Sequence, residues 1–208
     1  MASPKNGLIY QFKITLLDIS PRIWRRIQVP EHYTFWDLHV AVQDSMGWLD
    51  CHLHAFRFQK SDGKRAVEIG IPDEEDQHNL TLPGWEVGIA DYFIRPGVAA
   101  LYEYDFGDGW AHGILLESVL LGEPKVKYPK CIDGERACPP EDSGGIGGYY
   151  RLLKILGNPN HREHADSVAW LKGHAGNYHP YDPARFEPEA VRFTNPKRRW
   201  EKAFAKTG

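Results

Sequence analysis

Strict two-residue alternation near the N-terminus is the feature that most constrains the fold. In LIYQFKITLLDI, residues 8–19, the side chains that share one face are those of Leu8, Tyr10, Phe12, Ile14 and Leu16. Such alternation is typical of a strand that buries one face. RIWRRIQVP alternates in the same way after a break at Ser20 and Pro21, so the two segments are predicted to pair as antiparallel strands.

Arg25 is the anomaly in this pattern, because it shares a face with Ile23 and Ile27. An unpaired charge on a buried face is costly. We therefore expect an edge position or an ion pair with a carboxylate near the core. Contact with a bound anion is the alternative.

A helix is predicted for TFWDLHVAVQDSMGW, where Thr34 and Asp37 have capping-box spacing and Gly47 provides a stop. Its apolar residues recur at the helical period and are expected to lie on the sheet, with His39 on the solvent side. FGDG then predicts a hairpin between strands near 100–106 and 110–121.

The remaining segments complete an α+β prediction. Residues 60–98 are expected to form loops and short elements, with the acidic run DEEDQ solvated and a short strand near 65–69. Four C-terminal segments are predicted as helices: GYYRLLKIL, HREHADSVAWLKGH, DPARFEPEAVRF and PKRRWEKAFAK. The fold class is a mainly antiparallel sheet with an early helix packed on it and a helical C-terminal part. We expect a single domain over 1–208, sheet-rich at 8–121, a loop at 122–148 and helical at 149–206.

Composition and charge limit which partners and which cellular compartment are expected for the chain. The net charge of −3 is unlike the basic excess of dedicated nucleic-acid binders. No apolar run approaches the roughly 18 residues of a membrane span, and MASPKNG lacks a signal core. The three cysteines are an odd number, which favours reduced thiols. These features predict a soluble, cytoplasmic protein with no membrane association.

Polar side chains around three motifs are the candidate site. They come from HLH, DFGDGW and PPED, and we expect them to form a polar cleft on one side of the sheet: His52, His54, Asp105, Asp108, Trp110, His112, Glu141 and Asp142. Imidazoles two residues apart on a strand face the same side, so a divalent metal is one possible ligand. The competing interpretation is hydrogen-bonded sheet histidines and turn aspartates that bind local N–H groups. No cofactor is otherwise predicted. The sequence contains no G-x-S-x-G motif, which would mark the nucleophile of a catalytic triad.

A weaker candidate is contact with nucleic acid by basic residues interleaved with tryptophans. These residues are Arg22, Arg25, Arg26, Lys197, Arg198 and Arg199. Arginines and aromatic rings can bind phosphates and stack on bases. The same side chains can instead cover the sheet with their aliphatic stems.

Six blocks in order resemble the plasmid pRiA ORF-three-like family, over about residues 8–195. The blocks are SPRIWRRIQVP, TFWDLHVAVQDSMGW, HLHAF, YEYDFGDGWAH, CPPEDSGGIGGY and YDPARFEPEAV. The resemblance implies a compact α+β domain found in plasmid and mobile-element contexts. It implies no activity, and it supplies no role for the matching residues.

Taken together, the sequence favours a non-catalytic binding or interaction module whose biochemical function the residues do not specify, with a protein partner possible. Two alternatives stay open. One is a metal-dependent hydrolase or nuclease-like enzyme that uses the His/Asp/Glu residues, and the other is a nucleic-acid-binding accessory protein.

Overall fold

The described residues form one eight-stranded sheet that is mostly antiparallel. The computed structural model describes residues 7–59, 67–72 and 81–204. The strands in these residues are β1 Leu8–Leu16, β2 Trp24–Pro30, β3 His54–Phe58, β4 Val67–Gly70, β5 Leu82–Pro83, β6 Ala99–Tyr104, β7 Trp110–Leu121 and β8 Lys130–Glu135. Their order across the sheet is β5-β4-β3-β6-β7-β1-β2-β8. Neighbouring strands are antiparallel except for β4 and β5, which are parallel.

Helices cover the sheet and form most of the C-terminal part, so the predicted α+β class is confirmed. The helices of the described residues are α1 Phe35–Met46, α2 Gly145–Leu156, α3 His164–Gly173 and α4 Pro196–Ala203, with short 3₁₀ turns at Ile89–Asp91 and Pro188–Ala190. None of these helices is long and apolar enough to cross a membrane.

The predicted alternation of β1 and β2 is confirmed. Phe12, Ile14 and Ile27 are fully buried. β1 pairs with β2 in a register that sets Ile14 opposite Arg25, so Arg25 does lie on the core face. The two faces of this hairpin therefore divide core from surface as the sequence indicates.

Both ends of α1 are closed as predicted. The Thr34 hydroxyl accepts the N–H of Asp37 at 3.2 Å, and the Asp37 carboxylate accepts the N–H of Thr34 at 2.9 Å. Gly47 has φ +91°, and its N–H donates to the carbonyl of Gln43 at 2.8 Å. These bonds satisfy backbone groups that a helix leaves unpaired at its ends.

The expectation that His39 faces solvent is wrong. Its ring is fully buried and stacks on His54 with ring centroids 3.4 Å apart. His39 Nε2 lies 2.7 Å from the Asp50 carboxylate, and Nδ1 lies 2.9 Å from the Tyr102 hydroxyl. The polar side of α1 therefore contacts polar groups inside the protein. Helical periodicity alone cannot tell such a buried polar side chain from a solvent-exposed one.

The segment 122–148, predicted as a loop, contains strand β8, which pairs with β2. Gly134 on this strand leaves no room for a Cβ atom because the Phe186 ring packs against its backbone. The glycine therefore admits the C-terminal segment to the sheet edge, a contact that composition alone does not reveal.

The predicted helix at 182–193 is also wrong, since this segment forms only the turn Pro188–Ala190. A proline inside a helix removes a hydrogen bond and clashes with the preceding turn. The short strand predicted near 65–69 is found as β4, and the acidic run DEEDQ lies outside the described residues.

We expect Thr34→Ala to lower the free energy of unfolding by about 1 kcal/mol, because it removes the N-cap acceptor of α1. Thr34→Ser keeps the hydroxyl and is the matched control. Urea denaturation followed by circular dichroism measures both. Equal stability of the Ala and Ser variants would show that the cap contributes nothing.

Candidate functional site

The buried carboxylate of Glu141 holds three segments together. Glu141 is 1% exposed. One oxygen accepts the N–H of Leu49 at 2.6 Å, and the other accepts the Tyr104 hydroxyl and, at 3.5 Å, the Cys51 thiol. The PPED segment is thereby fixed against the loop before β3 and against the end of β6.

The two side-chain donors to Glu141 keep their protons at neutral pH. Burial, followed by the Glu141 carboxylate, raises the pKa of Tyr104 well above its usual value. Partial burial of the thiol and the same carboxylate raise the pKa of Cys51 to about 11. Each group therefore stays a donor, and Glu141 is the acceptor.

Asp105 has the backbone role that the turn interpretation assigns to it. Its φ is +54°, a conformation that aspartate tolerates better than most residues. Oδ1 accepts the N–H groups of Gly107 at 3.0 Å and Asp108 at 3.3 Å. The other oxygen, Oδ2, lies 3.6 Å from Nε2 of His52, so the same carboxylate also faces the loop before β3.

Asp108 connects the hairpin corner to the start of α2. Its carboxylate accepts the N–H of Gly144 at 3.1 Å. The backbone of Gly145 approaches the Asp108 carbonyl so closely that a Cβ atom would lie 2.6 Å from the oxygen. Asp108 thus positions the loop, and its carboxylate is bound to backbone.

A group that we call the polar cluster results from these contacts. Its members are His52, Asp105, Glu141, Asp142 and His174. Nε2 of His52 is 2.9 Å from Asp142 Oδ1, 3.6 Å from Asp105 Oδ2 and 3.9 Å from Glu141 Oε1. The second oxygen of Asp142 lies 3.5 Å from Nε2 of His174. Three carboxylates therefore surround one imidazole nitrogen.

The polar cluster is rich in negative charge and open to solvent on one side. Among the described residues, no lysine or arginine forms an ion pair with the carboxylates of the cluster. Their ionic contacts within the described part of the chain are with imidazole side chains. The Asp142 side chain is 52% exposed and that of His52 is 31% exposed. Ligand atoms of His52, Asp105 and Asp142 all lie within 4.8 Å of one another, a separation that allows a shared metal ion.

Comparison with known proteins identifies the family. The family model for plasmid pRiA4b ORF-3-like proteins matches residues 8–190. The chain belongs to the plasmid pRiA4b ORF-3-like family. It is 34% identical over 165 residues to the uncharacterized protein y4hQ of Sinorhizobium fredii, covering 78% of this chain and 80% of y4hQ. It is also similar to the crystal structure of MM3350, a protein of unknown function from Methanosarcina mazei Go1, with a TM-score of 0.77 and 39% identity over 91% of this chain and 100% of that one.

Three residues predicted for the cleft of this pRiA4b ORF-3-like protein lie in its core instead. His54 is 3% exposed, Trp110 is 1% exposed and His112 is fully buried. β3 begins only at His54, so strand alternation does not extend back to His52. Trp110 and His112 point inward from β7 and pack against Trp48.

Sequence reasoning missed three residues around the polar cluster: Cys51, Tyr104 and His174. His174 follows α3 and reaches Asp142 only through the tertiary fold, so no local pattern marks it. Cys51 and Tyr104 are each next to a predicted site residue in the sequence. That position is the sequence feature that could have indicated their place at the site.

The six basic residues considered for nucleic acid do not form one free patch. Arg25 is buried, whereas Arg26 pairs with Glu117 and Asp133 on the opposite face of β2. Arg199 pairs with Asp44 and Asp50 beside α1. Arg22, Lys197 and Arg198 are exposed.

His112 makes folding sensitive to acid. Burial lowers its pKa to about 4. Between pH 6.5 and 4 the imidazole of His112 is therefore protonated in the unfolded chain but neutral in the folded protein. The free energy of unfolding consequently decreases as the pH falls. From pH 7 to pH 5 this one group accounts for about 2 kcal/mol.

We expect His112→Phe to lose less stability over that pH interval than the natural protein. Denaturant midpoints at pH 7 and pH 5 measure the difference. His32→Gln removes a histidine from the surface and serves as the control. An unchanged pH dependence in His112→Phe would contradict the assignment.

Proposed function

We propose that this protein is a cytoplasmic, non-catalytic binding module whose polar cluster holds a first-row divalent transition metal ion such as Zn²⁺ or Mn²⁺. The observation that supports this is the approach of three carboxylates to Nε2 of His52 with no arginine or lysine partner among the described residues. The free thiols of Cys51, Cys131 and Cys138 are consistent with a reducing compartment.

Repulsion between the carboxylates of the polar cluster is the electrostatic basis of this proposal. Carboxylates a few ångströms apart repel one another, and the repulsion is strongest where burial lowers the dielectric constant. A divalent cation among them removes that cost. Imidazole nitrogen together with carboxylate oxygen suits transition metals better than Mg²⁺ or Ca²⁺, which prefer oxygen alone.

Each residue of the polar cluster has a distinct part in this proposal. His52, Asp105 and Asp142 are the ligands, because their ligand atoms are mutually close. His174 orients Asp142 through the second carboxylate oxygen. Glu141 fixes the loop that carries Asp142, since both its oxygens already accept protein donors.

A non-catalytic role is supported by Cys51, whose thiol donates to Glu141 of the polar cluster. Cys51 has a raised pKa and keeps its proton, which makes it a poor nucleophile. The exposure of Asp142 favours metal-dependent hydrolysis as a second candidate, because three protein ligands leave positions of an ion open to water. Hydrolysis of bis(p-nitrophenyl) phosphate by metal-loaded protein, abolished in Asp142→Asn, would favour this second candidate.

Metal titration tests the proposal. Untagged protein, stripped with EDTA, is titrated calorimetrically with ZnCl₂ and MnCl₂, and we expect about one equivalent of one of them to bind. At a free metal concentration of 100 times Kd, the unfolding free energy should rise by about 2.7 kcal/mol.

Variants locate the ion within the cluster. Asp142→Asn and His52→Ala should each weaken binding by at least about tenfold, or 1.4 kcal/mol. His174→Ala should weaken it by about 10–100-fold, as is typical for residues that orient a ligand. His32→Ala, an exposed histidine, is the control. Natural protein that binds neither metal, or Asp142→Asn and His52→Ala variants with unchanged affinity, would overturn the proposal.

A further inference from the structure

A second cleft, of about 840 Å³, lies between the C-terminal end of α1 and the segment 176–192. Its volume falls within the roughly 300–1,000 Å³ of small-molecule sites. Trp48, Tyr178, Tyr181 and Phe186 contribute aromatic surface to its walls. Residues of this cleft and of the polar cluster do not overlap.

Arg25 lines this cleft from beneath and is 1% exposed. Its Nε donates to the Ser45 carbonyl at 2.8 Å, and Nη1 donates to the carbonyls of Trp24 at 2.8 Å and Glu135 at 3.1 Å. The Phe186 ring stacks on the guanidinium with 3.6 Å between Cζ and the ring centroid. Nη2 forms no hydrogen bond with any described residue, so its two N–H groups have no acceptor among them.

The positive charge of Arg25 has no anionic partner in the described part of the chain. The acidic side chains near it are Cys131, Cys138 and Tyr181. Burial raises the pKa of each of them, so they are neutral at neutral pH. The ion pair that the sequence favoured for Arg25 is therefore not formed with the residues described.

The carboxylates that line the cleft have other partners. Asp44 pairs with Arg199 and accepts hydrogen bonds from Thr194. Glu187 pairs with Arg185, and Asp182 accepts the N–H of Ala184. Arg192, also on the cleft wall, donates only to backbone carbonyls. The cleft lining thus carries as many arginines as carboxylates, but Arg25 and Arg192 have no carboxylate partner among the described residues.

We propose that this cleft binds a small organic carboxylate with an aromatic or apolar body. Its carboxylate accepts the N–H groups of Arg25 Nη2 on the cleft floor, and its body packs against the aromatic walls. A buried guanidinium without a counter-ion is costly, and a bound carboxylate removes that cost. The water-poor floor strengthens the charge interaction, while the apolar walls contribute burial. This proposal is independent of the metal site.

Calorimetric titration of the full chain with 2-naphthoate and with 2-naphthamide tests it, because the two probes share a shape and differ in charge. We expect 2-naphthoate to bind at least about tenfold more tightly, a difference of 1.4 kcal/mol. Inorganic phosphate is added as a competitor of 2-naphthoate in a further titration, and we expect it to compete weakly because it has no apolar body.

Three variants and a control place the probe. Arg25→Met should abolish the preference for 2-naphthoate. Because Arg25 also binds three carbonyls, Ala190→Trp provides a variant outside the core: residue 190 is exposed on the cleft wall, and the indole should block both probes. Arg192→Gln should weaken only 2-naphthoate. Arg22→Gln, exposed and outside the cleft, should change neither.

Equal affinity of the natural protein for both probes, or no affinity for either, would overturn the proposal. Unchanged binding of 2-naphthoate in Ala190→Trp would overturn it as well. Phosphate that competes as strongly as 2-naphthoate would contradict the requirement for an apolar body.

Discussion

The contacts of one buried carboxylate, Glu141, bring together the segments that form the candidate site. Its hydrogen bonds connect the PPED segment to the loop before β3 and to the end of β6. A buried carboxylate must find donors, and here the donors come from segments about 40 to 90 residues away in the chain. Together with the hydrogen bond from Trp48 to the Pro139 carbonyl and the one from the Gly144 N–H to Asp108, these bonds hold Asp142 near His52.

The same segment separates the two candidate sites. Cys138, a few residues before Glu141, lines the cleft with Arg25, whereas Asp142 faces the imidazoles of the polar cluster. One site gathers three carboxylates around an imidazole, and the other contains a buried guanidinium without a carboxylate partner among the described residues. The two proposals therefore place ligands of opposite charge on the two sides of one loop.

Local sequence signals predicted the parts of the fold that depend on local physics. The alternation of β1 and β2, the capping box at Thr34 and the FGDG hairpin all appear as expected. The predictions failed where contacts between residues far apart in the sequence determine the local structure. His39 is buried because Asp50 and Tyr102 supply polar partners, and β8 forms because β2 offers a free edge. Of the candidate cleft, His52, Asp105, Glu141 and Asp142 meet, but His174 had no local signal.

A double-mutant cycle between Glu141 and Tyr104 tests the central interaction most directly. Urea unfolding of the natural protein, Glu141→Gln, Tyr104→Phe and the double variant yields the coupling energy, because Gln removes the charge and Phe removes only the hydroxyl. A hydrogen bond to a buried carboxylate predicts coupling on the order of 1–3 kcal/mol. Additive effects of the two substitutions, with coupling near zero, would contradict the role given to Glu141.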